Sequence, residues 1–252
     1  MLTDKLAPAL ATVALLAAPF ATRAAEGGPS LPHAGNDIRD RASLQRGARN
    51  FMNYCSGCHS AQFVRYNRMA ADLGLTEAEL TANLMFTAER SSDTIKSALA
   101  ADDGRKWFGN APPDLSLIAR RHGTDYLYGF LKGFYADPSR PTGVNNTVLP
   151  GTAMPHVLAD LQGLQTAVYA THAAAEDAAA TPEIEKLELA TPGALSAEKY
   201  DSFVRDTVNF LEYIGEPVQV KRRDLGVWVM LFLLVFTGFA YLLKREYFRD
   251  IH

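Results

Sequence analysis

Cys55-Ser56-Gly57-Cys58-His59 is a C-x-x-C-H pentapeptide, the spacing at which a c-type haem is attached. The two thiols add across the porphyrin vinyl groups, and the next residue, His59, then lies beneath the iron as its proximal ligand. That chemistry needs all three residues at once. A bare C-x-x-C serves equally as a thioredoxin-like redox pair or as half of a zinc site. Zinc requires two more soft ligands at similar spacing, and the chain has 2 cysteines in all. A dithiol enzyme has no need of a histidine in the next position. One covalently attached haem c is therefore the expected cofactor. With both cysteines so used, the fold must rest on its core and on the porphyrin, itself a large apolar group.

Outward from this motif, the 252 residues suffice for one well-packed domain plus attachments. A formal charge of -3 and a pI near 6.1 argue against nucleic acid as a partner. The N-terminus carries Lys5, an apolar run from Leu6 to Phe20 and then small residues. This pattern predicts a secretory signal peptide over residues 1–24, with Thr22 and Ala24 satisfying the small-x-small cleavage rule. The alternative, an uncleaved anchor helix, is opposed by Pro8, Pro19 and the short apolar length.

A second hydrophobic segment differs in kind. Leu225 to Leu243 contains no charge and is flanked by Lys221-Arg222-Arg223-Asp224 and Lys244-Arg245-Glu246. At about 1.5 Å per residue it is long enough to cross a ~30 Å hydrocarbon core. Trp228 and Tyr241 lie near its ends, where amphipathic rings favour the interface. A buried core helix would not be apolar on every face for that length. Three basic residues on each side leave the charge rule silent on orientation, so the signal peptide decides it. The predicted organisation is a leader (1–24), an exported domain (25–220), a transmembrane anchor (221–243) and a cytoplasmic tail (244–252). This places a single-pass protein in a bacterial inner membrane with its haem domain in the periplasm, where c-type attachment is completed.

Within the exported domain, residues 26–38 read as an extended lead-in, followed by a helix from about Asp40 to Tyr54 that delivers the chain into the haem motif. Gly47 and Phe51 form a G-x-x-x-F pair, similar to the N-terminal helix of class I cytochromes c. The expected crossing partner runs from Ala197 to Ile214, with a stripe of Tyr200, Phe203, Val204, Val208, Leu211 and Ile214. Thr76 and Glu79 form a capping box for a short helix to Thr87. Further helices are expected at about 91–100, 114–121 and 124–135. No alternating strand pattern stands out, so the expected fold is mainly α, a class I cytochrome c-like haem domain with large insertions and one C-terminal transmembrane helix. The alanine-rich, acidic stretch from about Thr171 to Pro192, with Glu176, Asp177, Glu183, Glu185 and Glu188, reads as a solvated surface insertion or as an attractor for a basic redox partner.

His59 leaves one axial position open. Met1 is lost with the leader, Met230 lies in the span, and Met52 is too close to the proximal side to cross the porphyrin. Met154 stands in Leu149-Pro150-Gly151-Thr152-Ala153-Met154-Pro155, where prolines restrict the backbone and small residues allow close approach to a flat ring. Met154 is the leading distal ligand on these grounds, with Met69, Met85, His122 and His156 as alternatives. Arg120 is a candidate clamp for an anionic haem propionate, or simply part of a solvated helix face. A carbonyl in the Pro112–Asp114 region is a candidate acceptor for the His59 Nδ1 proton.

Five segments together give a resemblance over essentially the whole mature chain. They are Cys55-Ser56-Gly57-Cys58-His59-Ser60, Arg65-Tyr66-Asn67-Arg68, Ala111-Pro112-Pro113-Asp114-Leu115-Ser116, Gly151-Thr152-Ala153-Met154-Pro155 and the tail Lys244 to His252 after one span. The chain resembles the cytochrome c1 family, the haem subunits of the cytochrome bc1 complex, in their proteobacterial form. The resemblance implies attachment through Cys55 and Cys58, axial ligation by His59 and Met154, and a propionate contact from Arg120. It implies an electron-transfer subunit, not catalytic alone, that accepts an electron from the Rieske iron-sulfur protein and passes it to a soluble or tethered cytochrome c. Cytochrome b, membrane lipid and a dimeric complex are the implied surroundings. The alternative is an independent membrane-tethered c-type cytochrome that delivers electrons to a terminal oxidase. Some relatives carry an extra cysteine pair between the haem ligands; this chain has none, so stiffening of the distal loop is expected from packing alone.

Overall fold

The computed structural model describes residues 31–170 and 184–249. The leader, the first part of the acidic insertion with Glu176, Asp177 and Glu183, and the last three residues of the tail lie outside them. In chain order the elements are α1 (Arg41–Tyr54), β1 (Ala61–Arg65), α2 (Tyr66–Leu73), α3 (Glu77–Asn83), β2 (Thr94–Ile95), α4 (Ala101–Phe108), α5 (Ile118–His122), α6 (Thr124–Lys132), β3 (Phe134–Ala136), β4 (Val144–Asn146), α7 (Ala159–Gln162), β5 (Gly163–Tyr169), β6 (Ile184–Pro192), α8 (Ala197–Gly215) and α9 (Gln219–Tyr247).

The crossing of α1 and α8 organises the haem domain, as the G-x-x-x-F pair implied. α1 starts at Asp40, whose carboxylate accepts from the Ser43 N–H at 3.0 Å, an N-cap. Gly47 is where the two backbones meet: a Cβ there would overlap the Asp206 carbonyl and press on Phe210 Cβ at 2.7 Å. Phe51, one turn on, lies against Phe210 with ring centroids 5.5 Å apart. Val204, Val208 and Phe210 are fully buried on the α8 face. Burying such a side chain is worth about 1.5–3 kcal/mol. A polar seam fixes the register of the crossing. Arg46 binds Asp206 through two hydrogen bonds of 2.6 and 3.0 Å, and Asn50 Nδ2 donates to Thr207 Oγ1 at 3.1 Å.

The Thr76–Glu79 capping box forms, with reciprocal hydrogen bonds at the start of α3. Elsewhere the expected elements shift. Instead of a helix over 91–100, the chain makes a tight turn in which Asp93 N–H donates to the Arg90 carbonyl, then pairs as β2 with β1. Ser91, Ser92 and Asp93 compete for backbone groups and disfavour helix. The Ser91 and Asp93 carbonyls accept from the first N–H groups of α2, a helix not foreseen in the sequence. α6 stops at Gly133, three residues early, because Phe134–Ala136 pairs with Val144–Asn146.

Three two-stranded antiparallel sheets, β1–β2, β3–β4 and β5–β6, correct the expectation that strands are lacking. The described half of the acidic insertion is not featureless. Residues 184–192 form β6, which pairs with β5 from Tyr169↔Ile184 to Gly163↔Pro192. Most of β5 is half-buried and uncharged, while β6 is mostly exposed and carries Glu185, Lys186 and Glu188, so the ladder lacks the clean apolar alternation by which strands are recognised.

α9 extends 29 residues with mean hydropathy 2.2 over its most apolar window. At about 43 Å long it exceeds the hydrocarbon core, leaving its basic ends at the interfaces. Its apolar side chains are exposed on all faces, from Leu225 and Trp228 to Phe239 and Leu243, as a lipid-embedded helix requires.

Candidate functional site

Cys55 is the C-cap of α1, and its N–H still donates to the Phe51 carbonyl. The chain then wraps on itself, with the Cys58 and His59 N–H groups both donating to the Cys55 carbonyl at 3.1 and 2.8 Å. One turn therefore carries both thiols and the imidazole. Ser97 Oγ donates to the Gly57 carbonyl at 3.1 Å, and Leu115 N–H to the Ser60 carbonyl at 2.8 Å, pinning the turn from both sides. Both thiols are free; Cys58 is exposed and Cys55 half-buried. Burial pushes the Cys55 thiol up to about 12, with the neighbouring Cys58 thiol adding to it, so it is uncharged at neutral pH.

His59 Nδ1 lies 2.8 Å from the Pro113 carbonyl oxygen. A carbonyl only accepts, so the proton is on Nδ1 and Nε2 presents its lone pair, the arrangement a metal-ligating imidazole needs. The expected acceptor within Pro112–Asp114 is thus Pro113. Burial lowers the imidazole below its ordinary value, against the opposing influence of the Pro113 carbonyl and Asp114, and so favours the neutral form. Asp114 fixes the carbonyl in place: its carboxylate accepts from Gln62 N–H at 2.9 Å and Ser116 N–H at 2.8 Å. Ser116 Oγ in turn accepts from Phe63 N–H at 3.1 Å, joining the P-P-D-L-S segment to β1.

Met154 lies half-buried in a non-helical loop, its N–H donating to Thr152 Oγ1 at 3.3 Å. Stiffening does not come from packing alone, contrary to expectation. Asn146, fully buried, accepts through Oδ1 from the Val148 and Leu149 N–H groups and donates through Nδ2 to the Phe130 carbonyl. Asn145 Oδ1 accepts from the Gly151 N–H, and Arg140 donates to the Gly151 carbonyl. These residues were not singled out in the sequence; the Asn145-Asn146 pair just ahead of Leu149-Pro150-Gly151 was the available signal. Of the alternative ligands, Met69 is fully buried in the core and Met85 packs against it. His122 stacks on Tyr126 at 4.6 Å and His156 on Phe134 at 4.8 Å. These two histidines end a continuous aromatic ladder, His122–Tyr126–Phe130–Phe134–His156, running from α5 along α6 to the methionine loop.

Arg120, on α5, directs its guanidinium to Glu216 at 3.3 Å while remaining 58% exposed. Glu216 also takes two hydrogen bonds from Arg222, at 2.5 and 3.0 Å.

Residues 36–181 and 193–251 match the model of the cytochrome C1 family. The chain belongs to the cytochrome c1 family. It is 50% identical to cytochrome c1 of Allochromatium vinosum over 94% of this chain and 96% of the relative. It is 42% identical to a protein named ammonia monooxygenase gamma subunit in Nitrosomonas europaea, over 95% and 97% of the two chains. Cytochrome c1 of Rhodospirillum rubrum is 30% identical over 84% of this chain and 83% of its own length. As a cytochrome c1 family member the chain is an electron-transfer protein of a bc1-type complex, and its cofactor is haem c. The residues present fit that group: two free thiols on one turn, an imidazole with Nε2 available, a thioether in a hydrogen-bonded loop and half-buried apolar side chains of Leu115, Ile118, Tyr126 and Phe130.

Proposed function

We propose that this chain takes one electron from a Rieske iron-sulfur protein that has oxidised a quinol, and delivers it to a soluble or tethered cytochrome c in the periplasm. The single observation that carries this reading is the pairing of a C-x-x-C-H turn whose histidine donates Nδ1–H to the Pro113 carbonyl with one lipid-exposed C-terminal helix. When bound, haem c supplies a one-electron carrier cycling between ferric and ferrous iron. Cys55 and Cys58 would hold it covalently and so retain it. His59 would hold the iron through Nε2, oriented and made more basic by its hydrogen bond. Met154 would hold the iron through its thioether, which would favour the reduced state and exclude exogenous ligands. Arg120 is the propionate clamp: its half-exposed guanidinium has donors beyond those directed at Glu216.

The haem domain faces the periplasm of a bacterial inner membrane, and the chain works beside cytochrome b in a dimeric complex. An independent tethered carrier would need its haem domain free to travel. Here the domain is ion-paired to its own anchor through Arg39–Asp224 at 2.8 Å and Arg222–Glu216 at 2.5 Å. Gentle detergent extraction that follows the covalent haem by its spectrum tests the assignment. Co-migration with a b-type haem protein and an iron-sulfur subunit, and reduction by quinol, is the expected result. Migration alone, or with a monooxygenase, overturns it.

A further inference from the structure

Gly151, three residues before Met154, is held at both ends of its own residue. Its N–H donates to Asn145 Oδ1 at 2.7 Å, and its carbonyl accepts from Arg140 Nη2 at 2.7 Å. Both partners come from the β3–β4 hairpin and are themselves fixed. Asn145 lies in β4, and its Nδ2 donates to Asp137 Oδ2 at 2.9 Å. Asp137 caps the hairpin turn, accepting from Ser139 N–H, while Arg140 N–H donates to the Asp137 carbonyl and Gly143 N–H to the Arg140 carbonyl. Hydrogen bonds from Ser139 and Asn145 hold the Asp137 carboxyl below the usual range, so the turn keeps its charge at neutral pH. Gly151 has φ +79°, a conformation that a side chain would strain, and its position leaves the guanidinium beside it.

We infer that Arg140 and Asn145 are positioning residues that set the tension of the methionine loop, and through it the reduction potential of the haem. The inference rests on the proposed ligation by Met154. A thioether binds ferric iron more weakly than ferrous, so the oxidised form depends most on a loop that keeps the sulfur in place. Removing the clamp weakens the bond in both oxidation states. The potential stays level until the ferric iron begins to lose the sulfur. From there each further tenfold weakening lowers the potential by about 59 mV, because only the ferrous form still gains from the bond.

The test uses the full-length, membrane-extracted holoprotein carrying Arg140→Ala, Arg140→Lys or Asn145→Ala. Three readouts are taken: the redox midpoint, the weak long-wavelength sulfur-to-iron charge-transfer band of the ferric form, and the rate of cyanide binding to ferric haem. Arg140→Ala and Asn145→Ala are expected to lower the potential, diminish the band and speed cyanide binding ~10-fold or more, within the range typical for losing an outer-shell partner. Arg140→Lys, which can still donate one hydrogen bond to the Gly151 carbonyl, is expected to recover part of each change. If Arg140→Ala incorporates haem and leaves all three readouts at the native values, the inference is overturned. If the native protein lacks the band and Met154→Ala leaves the spectrum unchanged, it is the ligand assignment that fails. Should Arg140→Ala not fold, Arg140→Lys decides: native readouts in that variant and in Asn145→Ala together overturn the clamp.

Discussion

At the scale of single residues, the imidazole of His59 is tuned through a neighbour's neighbour. Its Nδ1–H donates to the Pro113 carbonyl, which stays in place because the Asp114 carboxylate accepts from Gln62 and Ser116 N–H groups. Asp114→Ala frees that carbonyl, lowers the basicity of the imidazole and so destabilises the ferric state. The expected outcome is a rise in reduction potential by less than the ~59 mV of a tenfold factor, measured by redox titration. Asp114→Asn removes the negative charge but retains an acceptor oxygen, and should give a smaller rise; a fall in either variant would contradict the account. The direction is opposite to that expected for loss of the Arg140 clamp, so the two proposed ligands can be separated by sign. The Nδ1 acceptor was legible in the sequence as a loop region. Which of three carbonyls accepts was not, since that depends on how Asp114 folds back onto β1.

At the scale of elements, α1 and α8 depend on one missing side chain. A methyl group at Gly47 has no room between the Asp206 carbonyl and Phe210 Cβ, both on a helix anchored by the Arg46–Asp206 pair. Gly47→Ala is therefore expected to destabilise the holoprotein by about 3 kcal/mol, the upper end of ordinary overpacking costs. The measurement is the denaturant midpoint, followed by haem absorbance. A variant as stable as the native chain would show that the helices can slide apart freely. The pairing of these helices was readable from a glycine, an aromatic and an apolar stripe, because helical periodicity survives in sequence. The hairpins were not readable: β2 spans two residues, β3 and β4 three each, and β5–β6 lacks a clean apolar alternation. Pairing over such lengths is decided by what the rest of the fold places alongside, and leaves little mark on composition.

At the scale of the whole molecule, the haem domain is joined to its membrane helix through a short segment, Glu216 to Val218, bridged by charge. Arg222 takes Glu216 through two hydrogen bonds, Arg120 approaches the same carboxylate, and Arg39, just ahead of α1, takes Asp224. The hydrogen bond from Arg222, with the charges of Arg222, Arg120 and Arg223, holds the Glu216 carboxyl below its ordinary value of 4.5. A depressed native value means that this support is fully present above the ordinary carboxylate range and is lost as pH falls through the lowered value. Glu216→Gln should mimic the protonated form at neutral pH. In lipid nanodiscs, fluorescence anisotropy decay of a label on the haem domain is expected to gain a fast segmental component in Glu216→Gln at pH 7. The native protein should gain it only as pH falls through the lowered value, below the ordinary carboxylate range. A native chain already mobile at pH 7 would favour a tethered carrier over a fixed subunit.

The sequence by itself determined the motif on which the proposed haem attachment rests and the length and apolar character of the C-terminal segment. Cys55, Cys58 and His59 are brought together by fixed local spacing, and nineteen uncharged residues from Leu225 to Leu243 are apolar whatever surrounds them. The helix pair α1 and α8 was determined at the same level, by periodicity within each segment. Only the tertiary structure decided which carbonyl receives the His59 proton, that Arg120 approaches Glu216, and that Arg140 and Asn145 grip Gly151. Those contacts join residues remote in the chain or on different elements. Polar residue types are compatible with many partners, so their choice is made by the geometry that packing imposes, not by local sequence.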